Sequence, residues 1–311
     1  MKIFKKLFYI LKFYTLLNLK QRNKCDAIDN YADQIVLQAK LENQGIQLPK
    51  KIWIYWEGSM PTLVRHCIDH IQKLHPDYTV NLLNPNNVAD FISFDLTSPI
   101  LQKATSQQRA DLIRFDLIYH YGGIWLDASI IVYKKLDWIE KLIQQTKTQG
   151  FAYYRKKNTT LADFPVIENW LLASVEKNPF YQLWFDELFK AIDIGPKQYI
   201  QHIQANYDNS QDYFQHIGRL EYLVAYVACQ KVMRDISPSM VLINCDENAF
   251  FYQVKNKWVK EKTLIDLAIC EAPEEYPNLI KLAGKERKIL DRHFTRGQYF
   301  ENSLLDFGQY S

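Results

Sequence analysis

The chain has 311 residues, of which 48% are hydrophobic and 14% aromatic, so it is long and apolar enough to bury a large core. This composition excludes a disordered chain. The charges nearly balance, at +3 overall, and we expect no nucleic-acid partner. The five cysteines are scattered and form no C-x-x-C pair, which argues against a zinc site or a disulfide framework and favours a reducing cytosol.

Residues 1–25 form a basic amphipathic segment that contains seven Lys or Arg and no acid. Lysines interrupt its apolar residues, so no run approaches the roughly 20 apolar residues of a spanning helix. The apolar side chains share one broad face of the predicted helix: Phe4, Leu7, Phe8, Leu11 and Tyr14. Two interpretations stay open: a helix lying on an anionic membrane surface, or an amphipathic helix packed on its own domain. The first predicts a cytoplasmic protein peripherally associated with the inner face of the plasma membrane.

The next segments alternate between strands and helices. Residues 50–58 are predicted to form a buried strand that ends in a glycine loop, residues 61–76 a helix that begins and ends at prolines, and residues 78–84 a second strand. A short helix follows in "PNNVADFI". This order predicts a parallel sheet with right-handed crossovers.

A long helix is predicted over residues 99–121, and Gly122 and Gly123 provide its left-handed cap. The apolar stretch "YGGIWLDASIIVY" then predicts a strand that directly follows the helix. The later part of the chain is predicted to be mainly helical, over residues 166–178, 179–192 and 219–233.

Asp127 lies within that apolar strand, where an unpaired carboxylate would cost several kcal/mol. In open α/β sheets ligands bind at the carboxyl ends of the strands, and Asp127 lies where "GIWLD" ends. A hard divalent cation, Mn²⁺ or Mg²⁺, would compensate the charge together with substrate phosphates. Ser129 lies on the same side of an extended chain, so we expect both residues to be metal ligands.

Asp111 and Arg114 are spaced i,i+3 on the preceding helix and therefore share a face. Asp111 could fix a ribose or a uracil while Arg114 braces it or meets a phosphate. The alternative is an ordinary ion pair on the helix surface, worth a few tenths of a kcal/mol.

Two stretches, "LPKKIWIYWEG" and "ADLIRFDLIYHYGGIWLDASI", resemble the capsular polysaccharide synthesis protein family and, more broadly, the family 32 glycosyltransferases with a sugar-binding D-x-D motif. The resemblance covers residues 48–133. It implies that Asp111 and Arg114 match the family's helix pair and that Asp127 is the first aspartate of the metal site. Ser129 departs from the wider pattern, which has a second aspartate there.

The resemblance implies an α/β, GT-A-type nucleotide-sugar-binding fold, with a Rossmann-like mostly parallel sheet and a C-terminal helical annex. Residues 48–270 would form the catalytic domain with helical insertions, and residues 271–311 a tail that closes the donor site. The implied enzyme is a bacterial hexosyl- or N-acetylhexosaminyltransferase that uses a nucleoside-diphosphate sugar, in particular a UDP-sugar. It would transfer the sugar with retention to a glycan or lipid-linked glycan of a capsular polysaccharide.

Further candidates come from single residues. Tyr55 or Trp56, near the end of the first strand, could stack on uracil or belong to the core. Lys281 and Lys285 could contact the diphosphate or form a solvated basic turn. His293, like His216, could be a base or a metal ligand, or be structural.

Two other functions stay open. A nucleotidyltransferase would use a similar sheet and metal, although "YWEGSMP" is a poor phosphate loop. A non-catalytic carbohydrate-binding or assembly protein on the same fold would fit the loss of the second aspartate at Ser129.

Overall fold

The computed structural model describes residues 2–38 and 47–308, with side chains from Lys6 onward in the first helix. Its strands, in chain order, are β1 (Gln34–Leu37), β2 (Lys51–Tyr55), β3 (Thr79–Leu83), β4 (Gly123–Leu126), β5 (Ile130–Val132), β6 (Gly150–Tyr154), β7 (Ile167–Ser174), β8 (Met240–Asn244) and β9 (Leu279–Lys281).

The α-helices, in chain order, are α1 (Lys2–Leu19), α2 (Thr62–Leu74), α3 (Pro99–Lys103), α4 (Ser106–Tyr121), α5 (Asp137–Thr146), α6 (Pro179–Asp193), α7 (Pro196–Asn206), α8 (Ser210–Phe214), α9 (Val224–Asp235), α10 (Phe251–Lys255), α11 (Lys260–Ala268) and α12 (Gly284–Phe294). The short helix predicted in "PNNVADFI" is a 3₁₀ turn over Val88–Asp90.

A seven-stranded sheet organises the chain, in the order β1-β8-β6-β7-β4-β2-β3. Strand β2 pairs in parallel with both β3 and β4, and β6 pairs in parallel with β8, while β1–β8, β4–β7 and β6–β7 are antiparallel. The α/β fold class is therefore confirmed. The predicted parallel pairing holds for β2 with β3 and with β4, and antiparallel pairing enters through β7 and β1.

Strand β7 is the segment for which the sequence predicted a helix over residues 166–178, and that prediction is wrong. Every residue of β7 is buried, because the strand lies between β4 and β6. Its apolar residues Ile167, Trp170 and Leu171 also fall at helical spacing, and hydrophobic periodicity alone does not separate a buried strand from a buried helix in so short a segment.

The long helix predicted over residues 99–121 is two helices, α3 and α4. The break falls at Ala104 and Thr105, both of which have extended backbone angles. Thr105 accepts a hydrogen bond from the backbone N–H of Gln108, whose side chain accepts one from the backbone N–H of Thr105. This capping box starts α4 anew and fixes the face on which its later residues lie.

The two glycines after α4 set the start of β4. Gly122 and Gly123 have φ values of +58° and +86°, a region that side chains rarely adopt. A Cβ on Gly123 would lie 2.5 Å from the carbonyl oxygen of Lys51, so only glycine allows β4 to approach β2 this closely.

The strand predicted to continue from Gly123 into "ASIIVY" ends at Leu126. A turn follows, closed by a hydrogen bond from the Ile130 N–H to the Asp127 carbonyl oxygen. Strand β5 then leaves the main sheet and pairs with β9, forming a separate two-stranded sheet. Asp127 therefore lies at a true strand end, and Ser129 is not placed by an extended chain.

Helix α1 packs on α11 with one face and leaves another exposed. Phe13 is completely buried, whereas Leu7, Phe8 and Leu11 are 55%, 60% and 58% exposed. The packing on α11 matches the second interpretation, and the membrane interpretation stays a prediction. Within the described residues, no helix combines the length and apolar character needed to cross a membrane.

Candidate functional site

A cavity of about 650 Å³ opens at the carboxyl ends of β2 and β4. This edge of the sheet is where open α/β folds bind ligands, and the volume suits a small-molecule site. The predicted site residues that line it are Tyr55, Trp56, Asp111, Arg114, Asp127, Ser129 and Lys281. The structure thus brings together residues from four separate parts of the chain.

Two cations compensate the Asp127 carboxylate. Its Oδ1 lies 3.3 Å from a guanidinium nitrogen of Arg114, and its Oδ2 lies 2.6 Å from the Nζ of Lys281. Arg114 also lies 3.2 Å from Asp111 Oδ1. Two carboxylates and two cations therefore form one continuous cluster at the end of β4.

The Asp111–Arg114 pair is not an ordinary surface ion pair, because its side chains are only 4% and 5% exposed. Arg114 donates a hydrogen bond to the backbone oxygen of Asn169, at 2.5 Å, and its guanidinium lies 5.0 Å from the centre of the Trp125 ring. The Asn169 amide donates to Asp111 at 3.0 Å. These contacts hold both charged groups in one orientation.

The surroundings shift the two carboxylates in opposite directions. Burial raises the pKa of Asp111 to about 6, and the Asp127 charge adds to that rise, although Arg114 and Asn169 oppose it. Burial also raises the pKa of Asp127, but Lys281 and Arg114 outweigh it, so the pKa of Asp127 lies below its usual value. Burial lowers the pKa of Lys281, while the Asp127 carboxylate opposes that shift.

The residues predicted as metal ligands do not fit a divalent cation. The Ser129 hydroxyl donates to the Leu282 carbonyl oxygen at 3.3 Å and lies 3.5 Å from the Lys281 ammonium. Both oxygens of Asp127 already contact cationic nitrogens. Across residues 2–38 and 47–308, no group of three or more His, Cys, Asp or Glu side chains could hold a metal ion.

His293 does not join this site, which corrects its assignment as a metal ligand. Its ring contacts that of Phe13, at 4.6 Å between centres, and its Nδ1 lies 2.8 Å from the Gln298 side-chain oxygen. The residue therefore belongs to the packing of α1 on α12. Lys285 is exposed on α12, and neither it nor His216 is among the residues that line the cavity.

The mouth of the cavity is formed by the segment that follows β2. Trp56 packs under the guanidinium of Arg287, which lies 5.0 Å from the centre of its ring. Glu57 accepts a hydrogen bond from the Tyr55 hydroxyl and pairs with Arg109 of α4 at 2.6 Å. This pair joins the end of β2 to the beginning of α4, so the two sequence-predicted halves of the site share one rim.

Arg287 belongs to the first turn of α12, and the backbone of that turn also reaches the cavity. Ala283 and Gly284 line it, and no side chain caps this helix end within the described residues. Helix N-termini carry partial positive charge and unpaired N–H groups, both of which favour anions. Arg287 was not predicted from the sequence. The signal that could have found it is its place in "IKLAGKER", the basic stretch that also contains the predicted residues Lys281 and Lys285.

The opposite wall was also missed and comes from β7, α9 and the loop after α10. Glu168 accepts hydrogen bonds from the Tyr226 hydroxyl at 2.8 Å and from the Trp170 indole at 2.9 Å. Burial raises the pKa of Glu168, although Tyr226, Arg155 and Trp170 oppose the rise. The helix predicted over residues 166–178 concealed Glu168, because only a strand places Glu168 and Trp170 on one face.

Arg155 and Trp258 complete this wall. The guanidinium of Arg155 lies 4.9 Å from the centre of the Trp258 ring and pairs with Asp246 at 3.0 Å. Trp258 has a φ of +59°, which is unfavourable for a bulky side chain and costs on the order of 1 kcal/mol. The packing of the cavity wall therefore holds this ring against a local preference.

Two further cavities, of about 270 and 710 Å³, lie elsewhere on the molecule. Neither contains a residue predicted as part of the site. Of these three cavities among the described residues, the one at the end of β4 is where sequence motif, buried charge and sheet topology coincide.

Comparison with known proteins gives several matches. The chain is 26% identical over 187 residues to the O-glycosyltransferase braB of Annulohypoxylon truncatum, which covers 54% of this chain and 43% of that protein. It is 32% identical over 103 residues to inositol phosphoceramide mannosyltransferase 3 of Schizosaccharomyces pombe, covering 30% of this chain and 28% of that protein. The chain thus spans less than half the length of either relative.

Two solved structures are similar at low identity. The PaToxG glycosyltransferase is 13% identical with a TM-score of 0.36, covering 94% of both chains. A galactosyltransferase LgtC, solved with donor and acceptor sugar analogues, is 10% identical with a TM-score of 0.38, covering 75% of this chain and 87% of that one.

The match that classifies the chain is to the family model described as "Capsular polysaccharide synthesis protein", over residues 15–263. These residues are well over half of the chain and include α4, β4 and the Asp111, Arg114 and Asp127 cluster. The resemblance inferred from the sequence is thereby confirmed: this chain belongs to the capsular polysaccharide synthesis protein family.

Proposed function

We propose that this chain is a glycosyltransferase that transfers a sugar from a nucleoside-diphosphate sugar, in particular a UDP-sugar, to a glycan or lipid-linked glycan of a capsular polysaccharide. We propose a hexosyl or N-acetylhexosaminyl donor, and the retention of configuration that the family 32 resemblance implies. The observation that carries the proposal is the cation-rich cavity at the carboxyl ends of β2 and β4. It contains the family's helix pair and strand-end aspartate, Asp111, Arg114 and Asp127.

The charges in the cavity suit a diphosphate. Five cationic side chains line it, against four carboxylates, and the α12 N-terminus adds partial positive charge; the cations are Arg114, Arg155, Arg219, Lys281 and Arg287, and the carboxylates are Glu57, Asp111, Asp127 and Glu168. Basic groups fixed in a partly buried site stabilise the charge that develops on a leaving diphosphate. Because these cations are positioned before the donor binds, little reorganisation is needed during transfer.

The aromatic residues suit the other parts of the substrates. Trp56, held under Arg287 at the rim, offers a ring on which a nucleobase can stack. On the opposite wall, the Trp258 ring and the Glu168 carboxylate combine an apolar face with a hydrogen-bond acceptor, which suits a sugar. We therefore assign the donor nucleotide to the β2 side of the cavity and the acceptor to the β7 side.

A donor screen tests this function. The full chain is mixed with UDP-, GDP- and ADP-sugars, and the shift in melting temperature is measured, with the matching nucleosides as controls. At least one nucleoside-diphosphate sugar should stabilise the protein where its nucleoside does not, and should release its nucleoside diphosphate when a glycan acceptor is added. Donor binding without transfer to any acceptor would favour the carbohydrate-binding alternative, and transfer of a nucleotidyl group would favour a nucleotidyltransferase.

We also propose that helix α1 holds the enzyme on the inner face of the plasma membrane. The support is the exposed apolar group of Leu7, Phe8 and Leu11, which adjoins exposed Lys6 and Lys12. An apolar face beside lysines matches the chemistry of an anionic leaflet.

Vesicle sedimentation tests this location. Replacing Leu7, Phe8 and Leu11 together by Gln should weaken the binding constant for vesicles that contain phosphatidylserine by about 30-fold or more, because about 2 kcal/mol or more of apolar transfer free energy is lost. A control variant with Gln at Leu183 and Ile194, which are also exposed, should bind as wild type does. Equal binding of all three proteins would contradict the anchor.

A further inference from the structure

We propose that the Lys281 ammonium, together with Arg114 and Arg287, binds the donor diphosphate directly in place of a divalent cation, so that the enzyme binds its donor without metal. This inference rests on the proposed glycosyltransferase function and concerns the same cavity.

Lys281 is held firmly by its surroundings. It is the last residue of β9, and its backbone N–H donates to the Ala249 carbonyl oxygen. Its own carbonyl oxygen accepts a hydrogen bond from the buried Gln253 amide at 2.6 Å. The Lys281 side chain is only 10% exposed. The ammonium is therefore a fixed part of the site rather than a mobile surface charge.

Three side chains already contact the carboxylate of Asp127. Its Oδ2 lies 2.6 Å from the Lys281 ammonium, and its Oδ1 accepts from the Trp125 indole at 3.2 Å in addition to its contact with Arg114. A cation bound to this carboxylate would lie beside the Lys281 ammonium, whose like charge opposes it. The neighbouring hydroxyl of Ser129 donates to Leu282, so a cation at this position would have one carboxylate and would depend on water and phosphate oxygens for its other ligands.

The Lys281 ammonium has hydrogen-bonding capacity left for a ligand. An ammonium has three N–H donors. One points to Asp127 and a second has Ser129 Oγ at 3.5 Å, which leaves a third for a ligand in the cavity that Lys281 lines. Phosphate oxygens accept strong charge-assisted hydrogen bonds from such a group.

The charges of the cluster around Asp127 add up to a positive value. Asp111 and Asp127 carry two negative charges, and Arg114 and Lys281 neutralise them. Arg287 adds a further positive charge at the same cavity, close enough to Lys281 to affect its ionisation, and the first turn of α12 adds its N–H groups. The cluster is therefore net positive without metal, which is the property that a diphosphate site requires.

Calorimetric binding of UDP, GDP and ADP to the full chain tests this inference, in 5 mM EDTA and in 5 mM MnCl₂. The diphosphate that binds best should show affinities within about threefold in the two buffers. Lys281→Met should weaken its binding in EDTA by at least tenfold but leave binding of the corresponding nucleoside unchanged within threefold. Lys288→Met, which removes an exposed lysine of α12 outside the cavity, should bind as wild type does.

The outcomes separate the two proposals. Tight binding in MnCl₂ with none in EDTA would overturn the role of Lys281 and leave the glycosyltransferase function standing. If the protein binds no diphosphate and no sugar donor in either buffer, both proposals are overturned. If Lys281→Met does not fold, as judged by its melting transition, Lys281→Gln replaces it: loss of diphosphate binding in EDTA with unchanged nucleoside binding supports the role of the ammonium, and diphosphate binding within threefold of wild type contradicts it.

Discussion

The two halves of the cavity differ in how the chain builds them. Asp111, Arg114 and Asp127 come from one continuous stretch, in which α4, two glycines and β4 follow each other directly. Lys281 reaches the same aspartate from 154 residues further along the chain, through a strand that pairs with β5. The local motif thus fixes the carboxylate and one of its cations, Arg114, whereas a distant segment supplies the second cation.

The halves also differ in their coupling to the fold. Asp111 and Arg114 of the motif half are deeply buried and joined to β7 through Asn169, so changes there should cost stability. In the distant half, Arg287 is only half-buried and packs on Trp56, so changes there should mainly cost ligand binding. Three predictions test this division between a half that stabilises the fold and a half that binds the ligand.

Replacing Arg114 by Met should lower the free energy of unfolding by about 3–5 kcal/mol. The change leaves Asp111 without its buried cation and Asp127 with only Lys281. Chemical denaturation of both proteins measures the difference. Arg114→Lys should recover less than half of the loss, because an ammonium does not reproduce the fork that contacts Asp111, Asp127 and Asn169 together. A loss below about 1 kcal/mol would show that the motif half is not part of the core.

The stability of the protein should fall as pH rises from about 4 to 6.5, in the part that Asp111 contributes. The pKa of Asp111 is raised in the folded protein from 3.8 to about 6, so the folded state holds the proton more tightly than the unfolded state does. The stabilisation is complete below pH 3.8 and is lost as the pH passes the folded value. Arg114, Asp127 and Asn169 are the polar groups that face this carboxyl.

Denaturation of wild type and Asp111→Asn at several pH values between 4.5 and 7.5 measures this contribution. The difference between the two free energies of unfolding should change with pH up to about 6.5 and then become constant, with wild type losing stability relative to the variant. A difference that does not vary with pH would contradict the raised pKa.

Replacing Arg287 by Met should weaken nucleoside-diphosphate binding about tenfold, which corresponds to about 1.4 kcal/mol. The same change should alter the free energy of unfolding by less than about 1 kcal/mol, because the half-buried side chain contributes mainly a cation–π contact with Trp56. Calorimetry and denaturation on the same preparation give both values. A large loss of stability with unchanged binding would reverse the proposed division between the halves.

The contiguous half is the part that sequence reasoning could predict. Glycines at positive φ, an i,i+3 charge pair and an acid at a strand end are local features whose physical requirements are visible in neighbouring residues. Lys281 was also named as a diphosphate contact, but its pairing with Asp127 was not predicted. That pairing depends on the β5–β9 register, for which the sequence carries no local signal.

The errors have the same origin. Ser129 was placed by assuming an extended chain, whereas the hydrogen bond from Ile130 to Asp127 closes a turn. Glu168 was missed because a strand buried on both faces was read as a helix. Each error concerns a residue whose position depends on elements packed around it rather than on its own neighbours in the chain.

The most direct measurement of the central claim is a crystal structure of the full chain with the best-binding nucleoside diphosphate, grown without divalent metal. The account predicts the diphosphate within hydrogen-bond distance of the Lys281 ammonium and the Arg287 guanidinium, at the carboxyl end of β4. A diphosphate bound outside this cavity, with Lys281 still paired only to Asp127, would contradict it.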